Sequence, residues 1–224
     1  MENLQIRTYE TPVQDDICQG VLAIVADNVT SLSMMHPPSN HPRFEAYRTA
    51  LLLEIHNYLA MDKPSRLEVV TASLDGVIIG FILCGLPTSG SSAECGIYYT
   101  AVAKPNRGQG VMSLMMREVT AKYPAISLSC DVELVPKYER FGFVCDSLRH
   151  HQIVMFFGNP VENIPVIATH ELMADPAVII ERRKAEANYS EFDINRADKA
   201  MVKRLEFETS KAKRFLQAKM RARK

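Results

Sequence analysis

The chain has 224 residues, 47% of them hydrophobic and 23% charged, with Lys plus Arg and Asp plus Glu balanced at 26 each. That composition excludes a disordered or collagen-like chain and suits one globular domain with an appendage. No window holds the roughly 18 uninterrupted apolar residues of a membrane span, and the N-terminus MENLQIRTYE lacks the order of a signal peptide. A cytoplasmic protein without membrane contact is expected. The neutral total hides an asymmetry, because Glu181 to Lys224 carries 14 basic against 7 acidic residues, which leaves the rest of the chain acidic.

LQIRTYE, residues 4–10, alternates and predicts a short strand. Ile17, Val21, Ile24 and Val25 recur at helical spacing, with Asp15 or Asp16 near the cap, and Phe44, Tyr47, Leu51, Leu52, Ile55 and Leu59 repeat the pattern beyond a loop holding Pro37, Pro38 and Pro42. Two apolar, β-branched runs then flank Asp75-Gly76, the dipeptide of a tight hairpin turn. AECGIYYTAVAKP predicts a third strand, stopped at Pro105, which cannot donate to a ladder. From Val111 a helix with Leu114, Met115 and Val119 on one face runs to Tyr123-Pro124. It is followed by a strand over AISLSCD, a short helix entered near Pro136, and strands over GFVCDSL and HQIVMFFG. The fold class is α/β, a mixed sheet with helices. We place a first domain at 1–160 and a helical, basic extension at 161–224, whose Met201, Leu205, Ala212 and Phe215 form a thin apolar seam suited to a partner surface.

Cys18, Cys84, Cys95, Cys130 and Cys145 are widely spaced in apolar surroundings, without the pairing of a metal knuckle or redox motif, and read as buried reduced thiols.

Chemistry concentrates where a strand ends in KPNRGQGVM and opens a helix. Unpaired amides there converge on one point, and the helix dipole adds roughly half a positive charge, which makes an anion cradle. Arg107 can supply a fork for phosphate oxygens. A plain strand-to-helix turn is the competing reading of the bare loop. Neither the phosphate loop of nucleotide triphosphatases nor the dinucleotide fingerprint fits its spacing.

With PKYERFGF some thirty residues later, this stretch resembles the acetyltransferase family related to the Gcn5 histone acetyltransferases. The family's phosphate loop, Arg or Gln, two residues, Gly, one residue, Gly or Ala, falls on Arg107-Gly108-Gln109-Gly110-Val111-Met112, and its later element on Tyr138-Glu139-Arg140-Phe141-Gly142-Phe143. The resemblance covers roughly residues 1–157. It implies a central sheet of the acyl-CoA N-acyltransferase type with splayed middle strands, and acetyl-CoA as co-substrate with no metal. The pantetheine arm would pair with Thr100, Ala101 and Val102, and the pyrophosphate would rest on the loop from Arg107 through Gly108, Gln109, Gly110, Val111 and Met112 to Ser113. Tyr138 would be the general acid, since a phenol of pKa ~10 can protonate a thiolate whose thiol has pKa ~8.5.

Three positions depart from the family pattern: Met112 where Gly or Ala is usual, Asp131 where many members have Asn, and Leu134 where they have Ala. An acidic Asp131 facing an anionic cofactor would be unfavourable. For a base, Glu94 is the candidate, in phase by period two with Tyr98, Thr100 and Val102, and a solvated strand end is the competing reading. His150 and His151 read as strand-edge or surface residues, while His36 and His41 lie in the proline loop, placed to border a substrate. The tail reads as a solvated face, or as a docking surface for a protein partner or a second copy, with nucleic acid ranked last because acidic residues are interleaved. The expected function is acetyl transfer to a primary amine of a small-molecule or protein acceptor. The alternative is a weakly active or inactive domain serving as an assembly module.

Overall fold

The computed structural model describes residues 3–62, 67–87, 93–160 and 172–222. Among these, the strands are β1 (Leu4–Glu10), β2 (Leu67–Leu74), β3 (Val77–Gly85), β4 (Glu94–Val102), β5 (Ala125–Cys130), β6 (Val144–Arg149) and β7 (Gln152–Phe157). The helices are α1 (Asp15–Asp27), the single turn α2 (Val29–Leu32), α3 (Phe44–Leu59), α4 (Val111–Lys122), the short α5 (Val135–Glu139), and two long C-terminal helices, α6 (Pro176–Asn188) and α7 (Glu191–Ala222). The strands form one sheet in the order β1-β2-β3-β4-β5-β7-β6, antiparallel except at β4–β5.

Alternation along β2 and β3 builds two cores on opposite faces of this sheet. Val69, Phe81 and Leu83 face α1 and α3, meeting Val21, Val25, Leu51, Ile55 and Leu59. Val70, Ile82 and Cys84 face α4, meeting Met115, Met116 and Val119. The stripe expected on α4 therefore does bury, although Leu114 stays exposed. Gly80 permits the close approach of helix to sheet, since a Cβ there would stand 2.9 Å from the Met115 side chain. Asp15 and Asp16 form the first turn of α1, where their charge complements the helix dipole, and Gln14 rather than either of them is the cap residue.

The apolar seam of the C-terminal extension lies on the body of the protein. Fully buried Ala212, with Phe215 and Leu216, packs against the α4-side core, while Val178 of α6 packs against Ala46 and Ala50 of α3. Ion pairs add to this: Asp198 with Arg43 at 2.9 Å, Lys219 with Glu139 at 2.7 Å, and Lys211 with Glu133. The partner surface anticipated for the seam is thus supplied, over these residues, by the chain itself. Among the described residues no helix is long and apolar enough to cross a membrane.

Candidate active site

Two features of β4 open the middle of the sheet. On the β5 side, pairing covers only Glu94–Ile97 against Ala125–Leu128, so β4 beyond Ile97 and β5 beyond Leu128 diverge. On the β3 side, Leu83 pairs with Tyr99 and Cys84 with Ile97, leaving Tyr98 as the extra residue of a β-bulge at the point of divergence. The bulge turns Tyr98 and Tyr99 to the same face, toward α1 and α3, and returns Val102 to the α4 face. Because the Ala103 amide donates to the Ile79 carbonyl of β3 at 2.8 Å, the alternate residues Thr100 and Val102 turn their backbone groups toward the gap.

The glycine loop stands at the mouth of this gap. Gly108 and Gly110 have φ of 78° and 82°, and Gly110 is the cap residue of α4. Among the described residues, the amides of Gly108, Gln109 and Gly110 donate no backbone hydrogen bond, and the first bond of the helix runs from the Leu114 amide to the Gly110 carbonyl. The amides of Val111, Met112 and Ser113 thus belong to the open first turn. Arg107 is engaged within the protein: its Nε donates to the Val102 carbonyl at 3.2 Å and its Nη2 donates to Asn28 Oδ1. It ties the loop to β4 and to the α1–α2 junction. The Met112 side chain lies back against β4, where its sulfur accepts from Thr100 Oγ1 at 3.2 Å.

Tyr138 lies in the core on the α4 side of the sheet. It lies on α5, is 5% exposed, and packs edge-on against Phe143 with ring centroids 5.8 Å apart. Burial, then the negative forms of Cys130 and Asp131, push its phenol well above the ordinary range. Those neighbours place Tyr138 near the C-terminal end of β5.

Glu94 sits elsewhere. It is buried in the stretch that pairs with β5, at the closed end of the sheet, and the Tyr98 bulge breaks the period-two phase that linked it to Thr100 and Val102. The structure brings Thr100, Val102 and the loop to the open end of β4, and Glu94 lies at its paired end. All five cysteines are buried free thiols, and burial pushes Cys130 up to about 12.

Sequence reasoning left two arrangements unread. Glu54 of α3 is buried and accepts from Tyr99 Oη at 2.7 Å, and burial raises its carboxyl above the usual range despite that bond. Its position within an apolar helical pattern is the signal that could have found it. Asp131 meets His36, His151 and Gln152. Their separations in the chain hide that cluster from any local pattern. His41 is buried with Nε2 3.3 Å from Asp198, a contact with the C-terminal extension.

A sequence model of the acetyltransferase (GNAT) family matches residues 29–143. The chain belongs to that family. Its structure resembles an acyl-CoA N-acyltransferase from Pseudomonas aeruginosa, at 15% identity and a TM-score of 0.51, over 69% of this chain and 99% of that one. It also resembles the PaiA N-acetyltransferase of Thermoplasma acidophilum, solved in complex with coenzyme A, at 12% identity and a TM-score of 0.52, over 70% and 99% of the two chains. No curated protein matches the sequence. The GNAT fold accounts for the mixed sheet that parts between β4 and β5, with the C-terminal helices added to it.

Proposed function

We propose that this GNAT protein transfers the acetyl group of acetyl-CoA directly to a primary amine of a small-molecule or protein acceptor. The observation that carries the reading is the parting of β4 from β5 beyond Ile97 and Leu128 with the unpaired loop amides at its mouth. In this reading the pyrophosphate rests on amides from Gly108 to Ser113, where dipole and open N–H groups favour an anion. The pantetheine arm adds to the edge of β4 at Thr100 to Val102, where the Val102 carbonyl also accepts from Arg107 Nε, as an extended ligand adds to a sheet edge. Arg107 holds the loop in place through Nε and Nη2 and keeps its Nη1 donors for a phosphate oxygen.

The amine enters as its free base, and its lone pair attacks the thioester carbonyl to form a tetrahedral intermediate. As the C–S bond breaks, Tyr138 gives its proton to the departing thiolate sulfur, and the proton released by the acetylated nitrogen returns to the phenolate oxygen. One proton moves from nitrogen to sulfur overall, so this route asks nothing of Glu94. The raised pKa keeps the phenol loaded at every physiological pH.

Calorimetric titration with acetyl-CoA tests the reading, with saturable one-to-one binding expected and competed by coenzyme A. Absence of saturable binding would overturn it. A panel of amines monitored by free-thiol release then identifies the acceptor.

A further inference from the structure

We propose that His36, Asp131 and His151 form a binding site for a single Zn(II)-like divalent cation at the C-terminal end of β5. The three residues come from distant parts of the chain: the loop between α2 and α3, the position just after β5, and the turn joining β6 to β7. His36 Nε2 and His151 Nε2 are 3.1 Å apart, and Asp131 Oδ1 lies 3.7 Å from the first and 3.9 Å from the second. The circle through three atoms with these separations has a radius of about 2.1 Å, so one point stands at the zinc–nitrogen and zinc–oxygen bond length from all three at once.

A hydrogen bond between the two imidazoles would account for the 3.1 Å contact alone. The carboxylate oxygen, at 3.7 and 3.9 Å, is too far from either ring to accept from it, yet it faces both. Gln152 Nε2 donates to that same oxygen at 3.3 Å, an outer contact of the kind that orients metal-binding carboxylates. The backbone is strained where it delivers the rings. His36 has φ of 46°, and His150, which precedes His151 in the hairpin turn, has φ of 56°, a region where side chains are uncommon.

The donor set selects the ion. Two imidazole nitrogens and one carboxylate suit zinc and its first-row neighbours, whereas calcium and magnesium prefer oxygen alone. The His151 side chain is 6% exposed, but those of His36 and Asp131 are 15% and 28% exposed, so the cluster has a solvent-facing side. An ion held there by three protein ligands keeps a further position for water or for an atom of the acceptor.

The full chain, stripped with a chelator, is titrated with Co(II) as a visible probe. One equivalent should bring up the d–d absorption of a low-coordinate site, and one equivalent of Zn(II) should bleach it. His36→Gln, on the more exposed ring, and Asp131→Asn should each weaken Zn(II) binding at least ~10-fold. Failure of the wild-type chain to develop the bands overturns the proposal without reliance on any variant, as does unchanged Zn(II) affinity in both variants. Acetyl-CoA titration of the stripped protein reads the transferase assignment separately, so either result can fail while the other stands.

Discussion

Replacing Tyr138 by Phe removes one oxygen from a ring that is 5% exposed and packed edge-on against Phe143. The remaining ring keeps those contacts, so the stability cost is at most that of one hydroxyl, about 1 kcal/mol, or a fall of no more than about 2–4 °C in Tm for a chain of this size. Turnover should respond far more. A positioned proton donor is worth about 10²–10⁴ in rate, which corresponds to about 2.7–5.4 kcal/mol of barrier. Affinity for acetyl-CoA should hold, because the phenol lies beside Cys130 and Asp131 near the end of β5 while the loop amides stand at the start of α4. The profile of kcat against pH should show no falling limb from this group up to pH ~10, since the phenol is held above its usual value. Thiol release under saturating acetyl-CoA gives kcat, calorimetry gives Kd and differential scanning gives Tm. A kcat within about threefold of wild type, with Kd and Tm retained, would refute proton donation by Tyr138.

Gly110→Ala places a side chain at φ 82°, costing about 1–2 kcal/mol, and Gly76→Ala does the same at φ 81° in the β2–β3 turn, with open space around either new Cβ. Similar losses of Tm are expected, but only Gly110→Ala should weaken acetyl-CoA binding, by about tenfold for one charge-assisted bond; equal Kd values for the two variants would count against the cradle. The raised pKa of Glu54 means that folding favours its protonated form, a contribution present below the unfolded value and lost as pH rises through the folded one. Wild-type Tm should therefore fall relative to Glu54→Gln as pH rises above about 4.3, and parallel Tm profiles would contradict this. Ala212→Glu forces a charge into the contact between α7 and the core, and should cost about 3 kcal/mol or more, roughly 6–12 °C in a thermal melt; an unchanged melt would show that α7 does not dock there.

The parts of this fold governed by local rules are legible in the sequence. Asp75-Gly76 turns the β2–β3 hairpin, helical spacing at Ile17, Val21, Ile24 and Val25 buries α1, and the run from Arg107 to Met112 opens α4. What depends on register or on distant pairing is not legible. The bulge at Tyr98 follows from how β3 and β4 align, and it undoes the period-two argument for Glu94. The seam of α7 was visible as a pattern, but its partner surface, built from elements spread along the chain, was not. The meeting of His36 with His151 spans 115 residues and leaves no periodic trace.

Helix α7 grips the segment between Asp131 and Arg140 at two points, Glu133 through Lys211 and Glu139 through Lys219. The second handle adjoins Tyr138, and the first lies two residues from Asp131. The chain's last helix therefore works as a splint across this stretch, and anything that peeled it away would slacken the ground on which that tyrosine stands.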